Sequence, residues 1–288
     1  MRWKGREQSS HVEDRRGRSV RRVGGSIGIG TLILALAYTF LTGNPPTEIL
    51  QQMQQAPVEQ TAPSGGQTKR ADDELADFVK VVFKDNEDVW DKIFREQLHA
   101  RYRYPTLVLY DGMTQAACGM AQAAVGPFYC PADEKVYLDL SFYRDLKNRF
   151  GASGDFAMAY VVSHEVGHHV QNLLGITQQV EKLRRRLSPK EFNKLSVRLE
   201  LNADYLAGVW AHHIDKMKHV LDDGDIEEAV QAAAAVGDDR IQKQSMGYVV
   251  PDAFTHGTSE QRVRWFLKGY KSGDINGGDT FNIPYDQL

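Results

Sequence analysis

Three stretches of the chain alternate apolar and polar positions at helical spacing. In ADDELADFVKVVFKDNEDVWDKIFREQL (71–98), Leu75, Phe78, Val79, Val82, Val89, Trp90, Ile93 and Phe94 recur among acids. A polar interruption from Lys84 to Glu87 predicts two helices there rather than one. The second stretch surrounds VVSHEVGHHV (161–170): Asp155 is placed to cap its start, Ala157 to Val162 is apolar, and Gly175 is placed to end it. The third is SPKEFNKLSVRLELNADYLAGVWAHHI (188–214). Ser188 as N-cap, Pro189 in the first helical position and Glu191 three residues on form a capping box, and Leu201, Tyr205, Leu206 and Val209 follow at core spacing. Period-two alternation is confined to two short runs, TLVLYDG (106–112) and KVYLDLSFY (135–143). The pattern predicts an α+β domain, mainly helical with a small β-sheet. The Lys135 to Phe142 strand, just ahead of the second helix, is the expected edge for pairing with an extended peptide.

The first seventy residues follow another pattern. Residues 23–42 carry no charge over a length suited to one membrane-spanning helix, although Gly28, Gly30 and Thr31 weaken the run. Residues 1–22 hold Arg2, Lys4, Arg6, Arg15, Arg16, Arg18, Arg21 and Arg22 against Glu7, Glu13 and Asp14. This charge bias predicts a disordered basic cytoplasmic tail (1–22), a transmembrane anchor in the bilayer (23–42), a flexible Gln- and Pro-rich linker (43–70) and an exported domain (71–288). The expected location is a bacterial inner membrane, single-pass, with the N-terminus cytoplasmic and the domain extracytoplasmic. Ala35-Leu36-Ala37 also fits a signal-peptidase site, and cleavage there would export the same domain. The net charge of -3 argues against a nucleic-acid partner. Cys118 and Cys130 are the only cysteines, and in an exported domain they are expected to form a disulfide.

The chemistry lies in the second and third helices. His164-Glu165-Val166-Gly167-His168 fits H-E-x-x-H. Residues i and i+4 share a helix face, so His164 and His168 can bind one metal ion while Glu165 reaches a metal-bound water without taking a coordination site. Two histidines need a third ligand. A third histidine six residues after His168 is excluded, because that position is Leu174. Glu200 and Asp204, four apart on the third helix, supply carboxylates. Glu200 is assigned as the ligand and Asp204 as the acceptor of a histidine N–H, with the two roles interchangeable at this stage. His169 lies about 100° around the helix from His168 and reads as a packing residue or as a support behind a ligand. His99, His212, His213 and His219 have no partner at ligand spacing and read as surface residues.

SHEVGHHVQ followed by ELNADYLAGVW resembles the gluzincin arrangement, in which E-x-x-x-D follows H-E-x-x-H. With MRWKGREQSSHVEDRR, GPFYCPADEKVYLDLSFY and HGTSEQRVRWF, the chain more closely resembles the bacterial putative neutral zinc metallopeptidase (YpfJ-like) family. The likeness covers all but the Gln-rich linker. It implies a zincin-like domain with one Zn2+ per chain and a protein or peptide substrate. Thr258 and Gln261 read as a second capping box, which places His256 just before a helix N-terminus. The resemblance makes His256 the candidate for stabilising the oxyanion, with a loop-packing role as the alternative, and compares Arg262 with an arginine that follows such a histidine in related peptidases, although a surface or ion-pair role suits Arg262 better. The expected reaction is hydrolysis of peptide bonds, with Glu165 as general base. Two other readings are a tethered zinc-binding scaffold without turnover and a zinc amidase acting on cell-wall cross-links. Substrate-binding residues and oligomeric state are not assigned.

Overall fold

The computed structural model describes residues 1–17, 70, 72–122 and 126–288. The expected span at 23–42 and nearly all of the linker at 43–70 lie outside the described residues. Among those described, no helix is long and apolar enough to cross a membrane.

The region expected to form two helices is one, α1 (Asp73–Glu96). Asp85, Asn86 and Glu87 do not break it, because each is buried against a distant partner. Asp85 pairs with Arg6 and with Lys218 Nζ at 2.9 Å. Asn86 Nδ2 donates to Ser163 Oγ at 3.0 Å, and Glu87 accepts from Ser9 Oγ at 2.5 Å. Burying such groups is tolerable only when they are paired.

Two of those partners lie in the segment expected to be a disordered tail. Residues 1–17 instead pack on the domain. β1 (Val12–Asp14) pairs in parallel with β2 (Thr106–Tyr110), Val12 opposite Leu107. Trp3 donates from its indole to Asp155 Oδ2 at 3.2 Å and meets the Phe78 ring edge-on at 5.4 Å. Gly17 N and Arg70 Nη2 both donate to Asp111 Oδ2, at 2.7 and 2.9 Å. A strand of three residues is too short to show a period, and two basic residues of the segment, Arg6 and Arg16, pair with acids of the domain.

β3 (Met113–Ala116) and β4 (Gly119–Gln122) form a separate antiparallel hairpin. The Cys118–Cys130 disulfide, S–S 2.06 Å, ties its turn to β5 (Phe128–Cys130). The main sheet runs β1-β2-β6-β5, with β6 (Lys135–Asp139) parallel to β2 and antiparallel to β5. The Lys135–Phe142 strand is therefore not an edge, and it is shorter than expected. Asp139 accepts from Ser141 N at 2.8 Å and Gly112 N at 2.6 Å, which ends the strand and starts α2 (Ser141–Asn148).

The helical layer comprises α3 (Asp155–Leu173), α4 (Ile176–Arg184), α5 (Pro189–Lys218), α6 (Asp225–Ala235), α7 (Asp238–Met246) and α8 (Ser259–Ser272). Both predicted capping boxes form, Ser188 with Glu191 and Thr258 with Gln261. Asp155 is the first residue of α3 rather than its cap, and its side chain holds Trp3 instead. From Phe156 to Gly167 every residue of α3 is buried. Two close approaches set this layer. A Cβ on Gly167 would lie 3.1 Å from Ala203 O, so α3 sits directly against α5. At Gly208 and Gly269 an added Cβ would fall 2.0 Å from the facing backbone oxygen, so α5 and α8 cross backbone to backbone. Only glycine permits that crossing, which brings the start of α8 against the metal-binding residues of α3 and α5.

Candidate metal centre

His164 and His168 project from one face of α3 toward α5, their rings 4.8 Å apart and nearly perpendicular. Glu200 meets both: His164 Nε2 lies 3.2 Å from Oε2, and His168 Nε2 lies 3.5 Å from Oε1. One ligand atom from each of the three falls within 4.8 Å of the others, the one such group of three or more among the described residues. The other nitrogen of each ring is held. His164 Nδ1 donates to Asp204 Oδ1 at 2.8 Å, and His168 Nδ1 donates to Gln171 Oε1 at 2.9 Å. Gln171 is fixed in that orientation, because its Nε2 donates to Leu199 O at 2.7 Å and Asn202 Oδ1 at 2.9 Å. Both Nε2 atoms are thus directed at one point beside a carboxylate. Two nitrogens and one oxygen are a donor set that fits a catalytic zinc ion. The geometry assigns Glu200 to the metal-facing position and Asp204 to the histidine behind it.

Asp204 is wholly buried and saturated. Tyr160 donates its hydroxyl to Oδ1 at 2.5 Å, and Arg262 donates through Nε to Oδ2 at 2.8 Å and through Nη2 to Oδ1 at 3.0 Å. Burial raises its pKa, but Arg262 and His164 outweigh that and hold it at about 2. Arg262, 4% exposed, takes the ion-pair role that its sequence suggested. For His164, burial opposes the charged form, yet the Asp204 carboxylate and the hydrogen bond to Glu200 push its pKa up to about 10. Burial likewise raises Glu200, while His168 and His256 draw it well below the usual carboxylate range.

Glu165 is 8% exposed and has no hydrogen bond or ion pair among the described residues. His256 is set by a carboxylate that the sequence gave no reason to choose. Asp238 Oδ2 accepts from the backbone N–H of Thr255, His256 and Gly257 at 2.7, 2.6 and 3.1 Å, while Oδ1 lies 3.2 Å from His256 Nδ1. Burial lowers the pKa of His256, but the carboxylates Glu200 and Asp238 together outweigh it and raise it, and half of the side chain is exposed. Tyr160 was the more readable omission, since it lies four residues before His164 on the same helix face.

His169 is a packing residue, as expected. It is fully buried, its Nε2 donates to Arg103 O at 2.6 Å, and its Nδ1 accepts from the Tyr129 hydroxyl at 2.9 Å. Asn172 Nδ2 donates to the same hydroxyl at 3.1 Å. Burial lowers the His169 pKa to about 4, so the ring is neutral and staples β5 to α3. His212 Nδ1 and His213 Nε2 bond Tyr270 O and Gly273 O at the end of α8, away from the metal group.

The chain is 48% identical over 287 residues to the uncharacterized protein YpfJ of Escherichia coli strain K12, covering 98% of this chain and 99% of that one. It is 44% identical over 191 residues to the uncharacterized protein Rv2575 of Mycobacterium tuberculosis strain H37Rv, 63% of this chain and 64% of the relative. No solved structure matches it. The model of the family described as "Putative neutral zinc metallopeptidase" matches residues 1–281, where the histidines, the carboxylates and the docked N-terminal segment all lie. The chain belongs to that zinc metallopeptidase family.

Proposed function

We propose that the protein is a zinc-dependent metalloendopeptidase with a zincin-like site, holding one zinc ion per chain on His164, His168 and Glu200. The observation that carries the proposal is the convergence of those three donors beside a glutamate that is left free. A bound zinc ion would polarise the scissile carbonyl and acidify an attacking water. Glu165 accepts the proton of that water and delivers it to the leaving nitrogen. His256, anchored at Nδ1 by Asp238, offers its other nitrogen to the negative charge that develops on the carbonyl oxygen. Asp204, Tyr160 and Arg262 keep His164 in register. An extended substrate would pair with the outer edge of β5, which is stapled to the zinc helix by Tyr129 and His169.

A free Glu165 favours an enzyme over a scaffold, since a site that only stores metal has no use for an unpartnered base. The test uses the full chain, because residues 1–17 are part of the fold. Wild type and Glu165→Gln are compared for zinc content and for cleavage of unfolded protein and a broad peptide library. Stoichiometric zinc with no cleavage beyond that of the variant would defeat the proposal. Turnover of muropeptides alone would transfer it to a cell-wall amidase.

A further inference from the structure

We infer that residues 1–17 and the domain occupy the same compartment, on one side of any membrane. This goes beyond the peptidase reading and does not depend on it.

The N-terminal segment is a component of the fold. β1 completes one side of the sheet, with Leu107 N donating to His11 O at 2.9 Å and Arg15 N to Leu109 O at 2.8 Å. Glu87, 4% exposed, has Ser9 and His11 as its hydrogen-bond partners among the described residues. Asp85, 1% exposed, is shared by Arg6 and Lys218. Undocking residues 1–17 would open the sheet edge and leave a buried carboxylate without a partner, so the packing requires both parts on one side of any membrane.

The two ends of the intervening segment lie together. Gly17 and Arg70 share the Asp111 carboxylate, and Arg16 bridges to Asp72 and Asp73, each at 3.2 Å. A single crossing would put those ends a hydrocarbon thickness apart, roughly 30 Å. A return crossing would need a second apolar run of about 20 residues, and 43–69 is rich in Gln and Pro with no such run. Among the described basic residues, Arg6 pairs with Asp85, Arg16 with Asp72 and Asp73, and Arg15 donates to Thr114 Oγ1 and Gln115 O at 3.2 and 3.0 Å, so these three serve the fold and do not report orientation. The Cys118–Cys130 disulfide points to an oxidising compartment for the whole assembly.

The test is side-specific labelling of the full chain in bacterial cells. Ser10→Cys and Gln244→Cys are made separately at exposed positions, with the native cysteines bonded to each other. A membrane-impermeant maleimide is applied to spheroplasts and to inverted vesicles. The expected result is that both variants label from the same face with the same protection ratio. Recovery of the full chain in the soluble fraction, with both sites labelled, also supports the inference. Labelling of Ser10→Cys only in inverted vesicles and of Gln244→Cys only in spheroplasts would overturn it.

Discussion

The two sides of the metal-binding group are built on opposite principles. Behind His164 the carboxylate of Asp204 is wholly buried and accepts from Tyr160, His164 and Arg262. In front, Glu165 has no partner among the described residues and His256 is half exposed. Saturation fixes geometry, because each donor constrains the others in a medium of low dielectric. Openness leaves groups free to exchange protons with a substrate. Glu200 and Asp204 are one helical turn apart on α5, yet they fall on opposite sides of this divide. The contrast predicts that the rear residues carry stability and the front residues carry rate.

The sharpest way to break the contrast is Glu165→Gln. It should reduce peptide hydrolysis by about 10²–10⁴-fold. Zinc content and melting temperature should be unchanged, because the side chain supports nothing else. Steady-state kinetics beside metal analysis and a melting curve reads both halves, and a large loss of stability would erase the distinction. Asp204→Ala should do the reverse. Leaving Arg262 buried without its carboxylate should cost roughly 3–5 kcal/mol in urea unfolding and weaken zinc retention. A cost under about 1 kcal/mol would mean that the rear network is ornamental.

The third test concerns pH and the staple on β5. His169 has a folded pKa of about 4 against an ordinary value of 6.5, so between those values the unfolded chain binds the extra proton. Its contribution is full above pH 6.5 and is lost as the pH falls through about 4, a loss of about 3 kcal/mol for this fully buried ring. Urea unfolding of zinc-free protein over that range should show a shallower slope for His169→Leu than for wild type, whatever their absolute stabilities. The smallest expected effect is that of His256→Ala. It should lower kcat about a hundredfold and leave unfolding free energy and zinc content alone. A fall in stability comparable to that of Asp204→Ala would place His256 with the rear group.

What could be read from the sequence was local. H-E-x-x-H, the E-x-x-x-D that follows it and both capping boxes are fixed by spacing on one helix, and each has its expected geometry. The disulfide followed from an even cysteine pair in a domain expected to be exported. What was missed depends on contacts between distant residues. Asp85 to Glu87 looked like a break because Arg6, Ser9, His11, Ser163 and Lys218, which pair with them, are far away in the chain. Asp238 was not singled out at all, since its partners are backbone groups of a later loop. Edge status for the Lys135 strand required knowing that the three residues of β5 would pair beside it.

The shared carboxylate at Asp111 has a consequence for how the chain can vary. Because the folded core itself holds Gly17 and Arg70 on one carboxylate, any length of chain joining them must start and end at one place, and the cost of closing such a connection grows only with the logarithm of its length. Doubling such a loop costs only about 0.6 kcal/mol. Lengthening the connection between those two anchors should therefore cost folding little, which urea unfolding of a chain with a spliced-in reporter would read.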